Sequence, residues 1–299
     1  MPITPSRIYH VNVNCSDLER SLAFYRDAVG LKTMTRTRPE SPQPGGAFGL
    51  AQVQWDAWIL QGDAGAATPV LDLLEWTVPA PTGSPVTDPT TTGFNRLAFT
   101  TPDLVALHAR LVDAGAAVWS APLPIELDDG SSVRMFVCSD PDGTQIELLE
   151  GAGTRMSHVV VNCADIDRSR RYYTDIIGLS AHRSLRTRRQ PGTVFGIDGD
   201  IELHAELLVD PATGFMVELV EWVHPSATPG RSRRANELGI FRMAWHTEDI
   251  ANDYDVLVEA GVECYSPPAT LDMGPGLPKV RALFWEDPDG ACLELIEAG

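Results

Sequence analysis

Eight charged or titratable side chains stand in stretches that are otherwise apolar, and they fall into four matched pairs. His10 and His158 lie in IYHVNVN and MSHVVVN; Asp72 and Glu218 lie in VLDLLEW and MVELVEW. Arg96 and Arg242 lie in RLAF and RMAW; Glu147 and Glu294 lie in IELL and LELI. A neutral imidazole suits borderline divalent metals. A carboxylate among apolar strand residues is costly to bury without a partner, so each must either face solvent, as strand alternation permits, or do something inside. A guanidinium offers donors only and stays protonated, so neither arginine is an ordinary metal ligand. Each must pair with a carboxylate or hold an anionic oxygen of a ligand bidentately. Glu75 and Glu221, further along the same strands, fall on the opposite face if those strands are regular.

The pairs recur because the chain repeats. Residues 8–31 align with 156–179, 93–104 with 239–250 and 139–150 with 286–297, at a near-constant offset. A weaker repeat sits within each half: an apolar run, an Asp, a helical stretch and a Gly. It appears as Asp17 to Gly30, Asp103 to Gly115, Asp165 to Gly178 and Asp249 to Gly261. Each module therefore opens with a strand and then a helix. Ser16 and Glu19 have the spacing of a capping box, and Leu18, Leu22 and Tyr25 follow helical periodicity. The four glycines stand where a left-handed residue closes a helix. Strands are expected at WILQ (58–61), VLDLLEW (70–76), VRMFVC (133–138) and TQIELLE (144–150), with turns at the Asp-Pro-Asp-Gly segments 140–143 and 287–290. Segments 79–92 and 225–235 are loops between modules, and the halves meet near 151–154.

Composition sets limits on partners. The 299 residues carry a net charge of −18, which argues against a nucleic-acid partner. No apolar run is long enough to span a bilayer, and the N-terminal MPITPSRIYHV lacks the features of a secretory leader, so a cytoplasmic location is expected. The five cysteines are odd in number and contain no CxxC, which suits reduced thiols. The seven tryptophans are core by default, some of them lining a site. His204 and His246 sit on expected strands and could enter a second cup. No Ser-His-Asp order, phosphate loop or dinucleotide fingerprint is present.

The stretch from His10 through Asp17 and Tyr25 to Gly30, closed by DPDGTQIEL ending at Glu147 and Leu148, resembles the vicinal oxygen chelate superfamily, which holds glyoxalases, bleomycin-resistance proteins and extradiol dioxygenases. His158 to Glu294 repeats the pattern, so the resemblance covers essentially the whole chain. It implies an α+β fold of four βαβββ modules forming two tandem glyoxalase-like domains, 1–150 and 155–299, with cupped mixed or antiparallel sheets. It also implies one divalent metal per cup. The ligand positions map onto His10, Asp72, Arg96 and Glu147 in one half, and His158, Glu218, Arg242 and Glu294 in the other. The third position, usually His, is Arg in both.

The expectation is an enzyme acting on a small oxygenated metabolite by isomerase, lyase or hydrolase chemistry through an enolate-like anion. The metal would sit on His158, Glu218 and Glu294, with His10, Asp72 and Glu147 as a second site. Fe, Mn, Ni, Zn and Mg all fit such ligands. The catalytic set would be Glu294, His158 and Arg242, with Arg96 and Arg242 binding substrate. Both arginines should point into their cups and meet Glu147 or Glu294. A metal-free binding protein of the resistance type is the alternative. An extradiol ring-cleaving dioxygenase ranks below it, because the Arg removes one of its two histidines. Homodimer formation is compatible with this pattern.

Overall fold

The protein is described by a computed structural model covering residues 2–3 and 5–298. Each of the four modules opens with a strand and a helix. The helices start at Asp17, Asp103, Asp165 and Asp249, whose carboxylates accept the backbone N–H three residues on. Ser16 is not the cap: it binds Asp142 instead, because Asp17 is the residue whose extended backbone lets its side chain turn back. Gly30 and Gly178 close the first and third helical segments at φ 104 and 91, as expected of left-handed closing residues.

Two curled sheets of nine strands result, and each draws on both halves of the chain. The first runs from Ala269–Leu271 through Val280–Glu286, Cys292–Ala298 and Gly239–His246, then across to Arg7–Cys15, Val70–Val78, Gln52–Gln61 and Lys32–Thr37. It joins the first module to the fourth. The second runs from Ser180–Arg186 through Asp200–Val209, Met216–His224 and Arg155–Asn162, then across to Gly93–Thr101, Gln145–Glu150, Ser132–Ser139 and Leu123–Glu126. It joins the third module to the second. The seams are antiparallel, with His10 opposite Ala244 and His158 opposite Ala98. The expected Asp-Pro-Asp-Gly turns do connect antiparallel neighbours in both sheets.

Strand alternation sorts the side chains. Val11, Val13, Leu97, Phe99, Val159, Val161, Met243 and Trp245 point to the convex sides and, with the helices, form one shared core. His10, Asn12 and Asn14 alternate with them and therefore face the concave side, where each cup has its own apolar cluster. Glu75 does lie on the helix side, accepting from the Leu18 N–H at 2.8 Å. No helix among the described residues is long and apolar enough to cross a membrane.

Asn14 locks the first seam. Its Nδ2 donates to the carbonyls of Ala235 and Glu237, both at 2.7 Å, and its Oδ1 accepts from Trp76 Nε1 at 3.1 Å. Asn162 repeats the device with Pro89 and Thr91. Asn14→Ala strands three buried groups and should cost roughly 2–4 kcal/mol in denaturant unfolding, more than Asn162→Ala, which strands two. A loss under about 0.5 kcal/mol for Asn14→Ala would show that these contacts do not hold the seam.

Candidate functional site

Because each sheet mixes halves, the eight singled-out residues regroup. The cup of the first sheet holds His10 and Asp72 with Arg242 and Glu294. The cup of the second holds His158 and Glu218 with Arg96 and Glu147. The expected trio of His158, Glu218 and Glu294 does not form: Glu294 lies beside His10, and Glu147 takes its place beside His158. The second expected trio changes in the same way, with Glu294 replacing Glu147. The physical reason is the seam. The first strand of the third module pairs with Gly93–Thr101, whose parallel neighbour carries Glu147, so the final-strand carboxylate comes from the other half. Residue types and spacing along the chain contain no signal for this choice.

Both arginines enter their cups and meet the carboxylates expected for them, but they do so differently. Arg242 spans its cup. Its Nε donates to Glu294 Oε2 and its Nη2 to Asp72 Oδ2, each at 2.7 Å. His10 Nε2 lies 3.2 Å from that same Glu294 oxygen and 3.9 Å from that same Asp72 oxygen. Asn12 Nδ2 also donates to Asp72 Oδ2, at 3.3 Å. The guanidinium thus occupies the oxygens that a cation between His10, Asp72 and Glu294 would need. Burial would raise the Glu294 pKa, but Arg242 and His10 hold it below the usual carboxylate range. Burial likewise opposes charge on Arg242, and Glu294 and Asp72 overcome it.

Arg96 is drawn aside. Its Nε donates to Glu147 Oε2 at 3.0 Å, its Nη1 to the Asn95 side-chain oxygen at 3.0 Å, and its guanidinium carbon sits 4.9 Å over the Phe195 ring. Glu147 Oε1 is left facing His158 Nε2 at 3.4 Å, with Glu218 Oε2 on the other side at 3.1 Å. Among the described residues, Glu147, His158 and Glu218 form the trio whose ligand atoms all lie within 4.8 Å of one another. The imidazole is oriented from behind, with Ser157 Oγ 3.1 Å from Nδ1. Its Nε2 is buried and meets neither carboxylate in good hydrogen-bond geometry. Burial would lower the His158 pKa; the Glu147 and Glu218 carboxylates instead raise it to about 9. Burial would raise that of Glu147; His158 and Arg96 hold it at about 2.

Three substitutions between the repeats account for the difference. Asn95 offers an acceptor to Arg96, and its counterpart Phe241 has none. Asn12 steadies Asp72, while its counterpart Val160 is apolar. Glu218 is one methylene longer than Asp72. Other expectations settle as follows. Trp55 lines the His10 cup. His246 also lines that cup and contacts Ser6. His204 does not enter the His158 cup: it alternates with the cup-lining Leu203 and Ala205 and meets Glu206 instead. All five cysteines are free thiols.

Both halves match the description Glyoxalase/Bleomycin resistance protein/Dioxygenase superfamily, over residues 7–148 and 155–295. The chain belongs to that superfamily. Glyoxalase I from Zea mays superposes on it with a TM-score of 0.67 at 19% identity, covering 97% of this chain and 92% of that one. A Bacillus subtilis protein provisionally described as a dioxygenase does so at 0.63 and 14%, covering 99% and 86%. These likenesses are of fold. The Arabidopsis thaliana protein named lactoylglutathione lyase GLX1 is 24% identical over 68% of this chain and 65% of its own length. A chloroplastic Arabidopsis relative of the same designation is 26% identical over 62% and 47%. The superfamily chain described here thus spans less than two thirds of these curated relatives.

The two carboxylates of the His158 cup are not equivalent. Glu147 faces both Arg96 and His158, so Glu147→Gln leaves a buried guanidinium short of its anion and should cost about 3–5 kcal/mol. Glu218→Gln leaves His158 with Glu147 and should cost clearly less. Chemical denaturation of the two variants separates them; equal losses would contradict the division of roles.

Proposed function

We propose that the His158 cup holds one divalent cation on Glu147, His158 and Glu218, and that the protein is a metal-assisted isomerase or lyase acting on a small oxygenated molecule. The observation that carries this reading is the convergence of three ligand atoms, with the neighbouring guanidinium turned away by Asn95 and Phe195. The donor set fits: one imidazole and two carboxylates suit Mn, Fe, Co, Ni or Zn, and leave positions for substrate oxygens. Bound there, the cation would supply Lewis-acid polarisation of vicinal oxygens. The protein's own groups would do the rest. Arg96 fixes Glu147 through Oε2 and leaves Oε1 toward the site. Ser157 sets the imidazole. Glu218, with 16% of its side chain exposed against 5% for Glu147, is the carboxylate most open to the cavity. It would take a proton from the carbon beside a substrate carbonyl and return it to the neighbouring carbon, which is an isomerisation. A cavity of about 230 Å³ with Leu203, Leu207 and Met216 in its lining would shield the anion from water.

Of the expected catalytic set, only His158 stays in this cup; Glu294 and Arg242 belong to the other. Ring cleavage of the extradiol type uses two histidines and a carboxylate, and this trio has one histidine. The relatives named for lactoylglutathione make lyase turnover of lactoylglutathione the first reaction to assay.

After chelation and reloading with Mn, Co, Ni or Zn, elemental analysis should find one ion per chain rather than two. His158→Ala should abolish its retention, while His10→Ala leaves it unchanged. Asn95→Leu, which frees Arg96 to swing toward Glu218, should weaken metal binding at least tenfold. In the loaded enzyme, Glu218→Gln should lower kcat by about 100-fold or more. No retained metal, or equal loss from His10→Ala, would overturn the proposal.

A further inference from the structure

The His10 cup keeps a cavity that the metal assignment does not use. It measures about 370 Å³, against about 230 Å³ for the His158 cup, and residues of both halves form it. Its walls are apolar and partly aromatic, with Phe48, Trp55, Ile59, Leu271 and Met273 among them. Trp55 is fixed by its Nε1, which donates to Thr37 Oγ1 at 3.0 Å, and by Phe48, whose ring centroid lies 6.2 Å away. Such walls suit a rigid ring, which loses little freedom on entering.

The floor has hydrogen-bonding capacity left over, and it lies on the donor side. Arg242 uses Nε on Glu294 and Nη2 on Asp72, and its Nη1 has no hydrogen-bond partner. His10 Nε2 lies 3.2 Å from Glu294 Oε2 but in poor hydrogen-bond geometry. Arg242 is 6% exposed and His10 4%, and both line the cavity. A buried donor without an acceptor is costly, so each calls for an oxygen from outside the chain. Among the described residues of the floor, no carboxylate oxygen is both buried and without a partner. The nearby Asn12 Oδ1 is, but Asn12 does not belong to the cavity lining.

Charge decides which kind of acceptor fits. The floor sets Arg242 against Asp72 and Glu294, with His10 adding one positive charge at most. Positive charge there never exceeds negative. A carboxylate or phosphate brought to Arg242 Nη1 would gain no net attraction and would stand near Asp72 and Glu294. An ammonium group would set like charge beside the guanidinium and offer nothing to the two donors. A carbonyl oxygen accepts from both donors and leaves the charge balance as it is.

We propose that the His10 cup is a second, metal-independent binding site for an uncharged, ring-containing carbonyl compound, such as an aromatic ketone. The carbonyl oxygen accepts from Arg242 Nη1 and His10 Nε2, and the ring packs against Phe48 and Trp55. Arg242 thus takes a ligand oxygen, as the sequence leads one to expect, but an uncharged oxygen rather than an anionic one. No metal is needed in either cup, so the proposal stands apart from the His158 assignment.

Four probes on one ring system test it with the full-length protein kept in EDTA near neutral pH: 1-indanone (carbonyl), indane (no acceptor), 1-aminoindane (cation) and indane-1-carboxylate (anion), each followed by calorimetry. 1-Indanone should bind at one equivalent per chain and about tenfold or more tighter than each of the other three. Arg242→Lys keeps the positive charge and removes Nη1, so the margin of 1-indanone over indane should fall to about threefold or less. Thr35 lines this cup and is half-buried, so Thr35→Trp should fold normally while narrowing the cavity. It should weaken 1-indanone about tenfold or more. Leu207→Trp, at the other cup, should leave 1-indanone binding unchanged. Any of the other three probes binding as tightly as 1-indanone would overturn the proposal. So would an unchanged margin in Arg242→Lys, loss of binding in Leu207→Trp but not Thr35→Trp, or no binding of any probe. Metal retention is measured separately, so failure here leaves that assignment standing.

Discussion

Buried carboxylates must have a cation, and the source of that cation governs both cups. Each cup takes two carboxylates, one imidazole and one guanidinium out of water, an arrangement that is expensive unless every charge is closely matched. In the His10 cup the match is internal: Arg242 reaches both carboxylates and ties them together. In the His158 cup Arg96 reaches one carboxylate only, and Glu218 and the free oxygen of Glu147 turn to His158. The same four residue classes on the same strands thus give one constellation bridged by its own arginine and one in which Glu147, His158 and Glu218 converge.

The fold makes this divergence possible. Each cup is completed by a module from the other half, so the seams between halves are also the walls of the sites. A duplicated chain has two copies of every cup position and can alter one without the other. Asn95 against Phe241 is the clearest case: a single acceptor beside the arginine decides whether the guanidinium leans away or stays over the carboxylates. Asn95 and Ser157 belong to the site as much as the three converging residues do, since they set where Arg96 and His158 point.

Much of this was legible in the residues. The duplication, the four strand-and-helix openings, the Asp and Gly at the helix ends and the turns before Glu147 and Glu294 are local signals, and each rests on chemistry close in the chain. The inward arginines were legible too, because RLAF and RMAW are apolar on both faces and offer the charged side chain no polar face, so it must meet an anion inside. What could not be read was which carboxylate joins which histidine. Glu147 and Glu294 have equivalent surroundings in sequence, and the seam that places one by His158 and the other by His10 is set by contacts between elements far apart in the chain. The Ser16 cap failed for a related reason: Asp142, more than a hundred residues away, competes for that hydroxyl. The unequal reach of the two arginines depends on Asn95, a residue whose type carries no catalytic signal by itself.

The central claim is that the arginine position leaves one cup open to a cation and closes the other. Anomalous scattering from crystals of the intact chain equilibrated with Mn²⁺ or Co²⁺ tests it directly. The account requires a peak among Glu147, His158 and Glu218 and none among His10, Asp72 and Glu294, with Arg242 still bridging its two carboxylates. A peak of comparable height in the His10 cup, with Arg242 displaced, would contradict it.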